Sequence, residues 1–140
     1  MGSNWQTVSD PVASKGSYVA VKSGVTSIQR APGDSVLNMV VIPFTISKAA
    51  TYNVMGKVNS AEGTRNSFWV KLDNGSFERI SNGFNGTGWN WGRMKNFNLS
   101  TGNHTLTIAF REAGAKLDKI LLTTSKSSAI GQESPGINCQ

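Results

Sequence analysis

Between residues 16 and 124 the chain repeats one pattern. A short run alternates apolar and polar residues, and a turn then breaks it. The runs fall at 16–22 (GSYVAVK), 36–46, 51–59, 67–73, 89–100, 104–111 and 117–124. Asn74-Gly75, Asn82-Gly83 and Asn85-Gly86 supply turn dipeptides that tolerate positive φ. No window carries a helical period, so two-residue alternation is the dominant signal. The connections are too short for crossover helices, which implies antiparallel pairing. The expected fold is all-β, an antiparallel β-sandwich. In 104–111, Leu106, Ile108 and Phe110 share one face and Thr105 and Thr107 the other. Pro43 lacks a backbone N–H, so the 36–46 strand belongs at an edge or carries a bulge.

A length of 140 residues suits one domain. The alternation defines a module over 4–124. From Ser125 the composition turns to Ser, Gly and Pro without period, and 125–140 reads as a linker or tail. Met1-Gly2-Ser3 reads as a cloning remnant and is set aside. Cys139, the single cysteine, has no internal partner for a disulfide or a metal site. No apolar run approaches the roughly 18 residues that span a bilayer, so no membrane partner is expected. No signal peptide is recognisable, but a chain cut from a longer protein would have lost one.

Lys and Arg number 14 against 8 Asp and Glu, a net charge of +6. That balance favours a polyanionic partner: nucleic acid, an anionic polysaccharide or an acidic surface. The cations are scattered, and a nucleic-acid site would carry a denser basic track. Catalytic signals are sparse. His104 stands alone after a turn, and no phosphate loop, nucleophile elbow or dinucleotide fingerprint occurs. Two suitably spaced carboxylates would suffice for a glycosidase, but a sandwich this small leaves little room for a deep cleft.

The aromatic residues are the stronger signal. Trp89 and Trp91 sit one residue apart behind a glycine-rich loop, and they share a face if the backbone is extended. Trp69 alternates against Phe68, Val70 and Leu72, so it points away from whatever face those residues use. Exposed indoles usually mark a contact surface. They suit the flat apolar faces of sugar rings. Arg65, Asn66, Arg93, Arg111, Glu112 and Lys116 can offer hydrogen bonds to hydroxyls, carboxylates or sulfates. The competing reading is that one of Trp89 and Trp91 plugs the core.

The segments GSYVAV, ATYNVMGKV, NSFWVKLDNGSF, WNWGRM and LSTGNHTLTIAFREAGAKLDKILLTT resemble the jelly-roll carbohydrate-binding modules of families six and thirty-five. The resemblance spans residues 5–124 and is densest in the last segment. It implies a non-catalytic module of a secreted polysaccharide-degrading enzyme. The partners would be a polysaccharide and an attached catalytic domain. It places the ligand in loops at one end of the sandwich, with Trp89 or Trp91 stacking on sugar. Trp69, Arg65, Asn66, Arg111, Glu112 and Lys116 would border that cleft. Relatives bind a structural calcium through an N-terminal glutamate and an aspartate of the last strand. Asp118 matches the aspartate, whereas Asn4-Trp5-Gln6 offers no match for the glutamate. The basic cleft tilts the expected ligand towards a sulfated or uronic-acid algal polysaccharide. Two rivals remain: a basic β module for single-stranded nucleic acid or a protein partner, and a small polysaccharide lyase or hydrolase, a lyase having only Tyr18 and Tyr52 to use.

Overall fold

A computed structural model describes residues 1–60, 65–81, 84 and 87–124. Nine strands run in order: β1 (Trp5–Ser9), β2 (Ser17–Val21), β3 (Met39–Ile46), β4 (Ala50–Asn59), β5 (Phe68–Leu72), β6 (Glu78–Ile80), β7 (Trp89–Leu99), β8 (Gly102–Phe110) and β9 (Lys116–Thr123). They form a five-stranded sheet, β1-β2-β9-β4-β7, facing a four-stranded sheet, β3-β8-β5-β6. Every pairing is antiparallel. The architecture is the expected jelly-roll sandwich. β3 is an edge strand, as Pro43 requires.

Seven of the nine strands coincide with the alternating runs. The other two, β1 and β6, are short and polar, and only pairing with a neighbour makes them strands. Residues 36–38 form a 3-10 turn instead of extending β3. The connection from Val21 to Met39 is long and runs over the four-stranded sheet, a path that alternation does not reveal.

The core lies between the sheets. Phe68, Val70, Leu106, Ile108 and Phe110 come from the four-stranded sheet, and Val21, Val54, Val58 and Leu117 from the other. Trp5 is the one tryptophan between the sheets. It is 2% exposed, meets the Phe110 ring edge-on at 5.7 Å and donates its indole N–H to the Asn38 carbonyl at 2.9 Å. Gly2 also takes part in the fold. Its N–H donates to the Met39 carbonyl at 2.7 Å, and a Cβ there would stand 2.2 Å from the Val36 carbonyl oxygen.

Two bulges re-aim side chains in the five-stranded sheet. Pairing of β4 with β9 passes from Lys57↔Lys119 to Val58↔Leu117, which leaves Asp118 as an extra residue. Pairing of β4 with β7 likewise skips Met94. Met94 turns inward and fills the space over Gly56, where a Cβ would come within 2.6 Å of its methyl. Lys95 pairs with Glu78, tying the free edge of one sheet to the free edge of the other.

The linker expected over 125–140, with Cys139, lies outside the described residues, as do the Asn82-Gly83 and Asn85-Gly86 turns.

Candidate functional site

β7 is extended from its first residue, and its register settles where the tryptophans point. Trp89 stands opposite Asn59 and Trp91 opposite Lys57. The intervening Val58 and Gly56 face the core, so both indoles lie on the outer face of the five-stranded sheet. Each is half-buried and neither belongs to the core clusters. Tyr18 shares that face, because Val19 and Val21 point inward. Its ring meets Trp89 edge-on at 5.0 Å. The Lys116 ammonium stands 5.8 Å from the centre of the Tyr18 ring. Trp89, Tyr18 and Lys116 therefore form a continuous cluster, with Trp91 two rungs along on the same face. The indole N–H of Trp89 is buried without an acceptor among the described residues.

Lys57 stands opposite Trp91 and pairs with Asp118. The Asp118 carboxylate is wholly buried and lies 3.5 Å from the Lys57 ammonium, itself 10% exposed. Ser14 completes the arrangement. Its backbone N–H donates to both carboxylate oxygens at 2.9 and 3.0 Å, and its hydroxyl donates to one at 2.9 Å. This donor set does not fit calcium. Calcium takes six to eight oxygen ligands. Here one carboxylate faces an N–H donor, an O–H donor and an ammonium. Among the described residues no group of three or more acidic, His or Cys side chains could hold a metal.

Arg65, Asn66, Arg111 and Glu112 gather at the end of the sandwich where β7 and β9 begin. They brace loops. Glu112 accepts the backbone N–H groups of Asn66 at 2.7 Å and Ser67 at 3.2 Å, and Arg111 Nη1 at 2.9 Å. Arg111 also donates to the Ser67 hydroxyl at 3.0 Å and to the Gln29 side-chain Oε1 at 2.9 Å. Its Nε is buried without an acceptor among the described residues. Arg111 and Glu112 thus hold together the loops after β2, β4 and β8. The Arg65 side chain lies over Gly114, whose absent Cβ would meet Nη1 at 3.0 Å and whose φ is +76°. The positive φ favours glycine at 114.

Trp69 is not part of an open platform. It points away from Phe68 and Val70, as alternation predicts, but that outer face is covered. Trp69 is 8% exposed and packs with Met39, Ala109, Ile28 and Phe77. Its indole N–H donates to the Ile28 carbonyl at 3.1 Å. Thr107, on the same outer face, is 4% exposed.

His104 lies at the opposite end of the sandwich. Asp73 faces its Nδ1 at 2.9 Å and the Ser100 carbonyl faces its Nε2 at 3.0 Å. With an acceptor at each nitrogen, only the imidazolium satisfies both. The Asp73 hydrogen bond, then the Ser100 carbonyl, raises its pKa. A shallow groove lined by Pro43, Phe44, Thr45, Asn103, His104 and Thr105 lies at that end, away from the indoles.

The sequence nominates Trp89, Trp91 and Lys116, and the structure sets these three on one face. Sequence reasoning missed Tyr18 and Lys57 as neighbours of the indoles, and Ser14 as a partner of Asp118. Alternation alone puts Tyr18 and Lys57 on a non-core face, but nothing local states which strands adjoin.

No protein-family model and no curated protein sequence matches the chain. Solved structures do resemble it. A family 35 carbohydrate-binding module from Clostridium thermocellum superposes with a TM-score of 0.65 at 17% identity, covering 89% of this chain and 90% of that one. An exo-β-1,3-galactanase from Phanerochaete chrysosporium, complexed with β-1,3-galactotriose, gives 0.61 at 19% identity over 87% of this chain and 26% of its own. A family GH115 4-O-methyl-α-glucuronidase with specificity for decorated arabinogalactans gives 0.59 at 15% identity, over 87% and 16%. The chain therefore matches nearly the whole of a binding module and about a quarter or less of the two enzymes. At these identities the likeness establishes the fold.

Proposed function

We propose that this chain is a non-catalytic polysaccharide-binding module of a secreted polysaccharide-degrading enzyme, and that it binds an anionic polysaccharide, sulfated or uronic, of the algal kind. The observation that carries the reading is the placement of Trp89 and Trp91. Two indoles that alternation could have sent to the core stand half-buried on one outer sheet face, beside Tyr18 and Lys116. The similar structures support it, since they comprise a carbohydrate-binding module, an exo-β-1,3-galactanase and a glucuronidase with specificity for decorated arabinogalactans.

Charge supports the anionic ligand. Lys57 is matched by Asp118, Lys95 by Glu78 and Arg111 by Glu112. Lys116 and the exposed Arg93, which flank the indoles on the same face, have no acidic partner among the described residues. The indoles would stack on sugar rings while these two cations meet carboxylates or sulfates. Arg111 and Glu112 would fix loop positions without touching the ligand. Trp69 would contribute only to stability.

Native gels cast with carrageenans, agarose, alginate, fucoidan, xylan and a soluble cellulose test this reading. The expected outcome is retardation by one anionic polymer, lost at least tenfold in Trp89→Ala/Trp91→Ala, with no product released on long incubation. Retardation should weaken with salt, because charges at a surface are screened over about 8–10 Å near physiological ionic strength. Equal retardation by every polyanion, indifferent to the tryptophans, would reduce the interaction to ion exchange and end the proposal.

A further inference from the structure

Asp118 presents a problem that the binding reading does not address. A carboxylate with no exposed surface must be compensated, since an uncompensated buried charge costs several kcal/mol. In a sheet face crossed by a loop, a bound divalent cation is one solution. This chain carries another. The β9 bulge leaves Asp118 as an extra residue after the core-facing Leu117, beside the 10–16 connection. There it accepts the Ser14 N–H and hydroxyl and meets the Lys57 ammonium.

We propose that Lys57 serves as a covalently tethered replacement for a structural divalent cation, fixing the 10–16 connection to the five-stranded sheet through Asp118, so that the folded chain neither needs nor binds calcium. Three features carry this. The oxygens of Asp118 already receive hydrogen-bond donors, and donor hydrogens repel a cation placed at the same spot. Among the described residues no cluster of carboxylates shares the site. And the cation is held by the fold itself: Lys57 lies in β4 between the core-facing Gly56 and Val58, on the rung opposite Trp91. Its side chain has little freedom to leave, whereas a metal could dissociate.

A tethered cation has consequences that a metal would not. Removing calcium changes nothing, and removing one side chain removes the charge permanently. Breaking a buried pair from one side is strongly destabilising, because the partner charge remains.

The test needs three measurements on the whole chain. First, thermal unfolding is monitored in EDTA and in millimolar calcium chloride, and calcium is titrated calorimetrically. The expected results are melting temperatures equal to within about 1 °C and no saturable heat. Second, Lys57→Met should lower the melting temperature by roughly 10 °C in EDTA and in calcium alike. Third, Lys57→Arg keeps the charge and should recover most of that loss. Saturable calcium binding to the wild-type chain, with a rise of several degrees that Asp118→Asn abolishes, would overturn the proposal. So would a Lys57→Met chain that melts with the wild type. The calcium titration decides the matter even if Lys57→Met does not fold.

Discussion

The two outer faces of the sandwich start from the same kind of sequence and end differently. Trp69 on the four-stranded sheet and Trp91 on the five-stranded sheet both alternate against core-facing neighbours. Trp69 is covered: the long β2–β3 connection crosses it, Ile28 and Phe77 pack on it, and the Ile28 carbonyl accepts its N–H. On the other sheet the 10–16 connection is shorter. It is held at Ser14 by Asp118, and Trp89 and Trp91 remain half-open. An indole on an outer face thus becomes structure or a surface according to whether a loop reaches it with apolar cover and an acceptor.

Truncating each of these tryptophans in turn is the sharpest way to break that comparison. Trp69→Ala should cost about 3–5 kcal/mol, the range for removing a buried aromatic, while the folded fraction retains polysaccharide affinity. Trp91→Ala should cost about 1 kcal/mol or less in stability and most of the affinity. Denaturant unfolding and gel retardation on the same preparations check both. If Trp69→Ala loses affinity while staying folded, the covered face is part of the site after all.

A smaller effect is expected at the loop brace near the end of both sheets. Glu112→Ala removes the carboxylate that accepts the Asn66 and Ser67 N–H groups, and one of the three acceptors of Arg111. The expected loss is about 1–3 kcal/mol, with amide hydrogen exchange rising at Asn66 and Ser67. Affinity should fall less than in Trp91→Ala, because the brace orders loops and the indoles stand on a strand.

The smallest effect is pH-dependent and confined to the end away from the indoles. His104 has its pKa raised above the ordinary 6.5, so its contribution is complete below pH 6.5 and fades as pH rises through the folded-state value. Asp73 has its pKa lowered below 3.8, first by the His104 hydrogen bond, with the Thr105 N–H adding to it. Its contribution is complete above pH 3.8 and fades as pH falls through the folded value. The contribution of this pair to the melting temperature should therefore be greatest between about pH 4 and 6.5 and fall as pH rises through the folded-state pKa of His104. His104→Gln should flatten the alkaline limb and leave polysaccharide retardation unchanged.

Much of the fold is legible in the residues. Leu106, Ile108 and Phe110 alternate cleanly because a strand with one buried face sets every second residue against the core. The proline of β3 marks an edge because a central strand cannot spare an N–H. β1 and β6 are not legible, being short and polar and held only by their partners. The candidate site is half legible. Trp89, Trp91 and Lys116 can be picked out from residue type and alternation. The family resemblance points to Asp118 as a metal ligand, whereas its partners in the structure are Lys57 and Ser14, the latter 104 positions away in sequence.

Local pattern is enough to set the period, the turns and therefore the two-layer β architecture, since these depend on sterics within a few residues and on burying one face of each strand. It also groups the residues of each strand by face, but leaves open which face meets the core, as at Trp89 and Trp91. Which outward residues are covered, which buried charge meets which, and which aromatics stay open are outcomes of three-dimensional packing. They depend on strand order and on the paths of loops, and long-range pairing sets both in a way that no local pattern encodes.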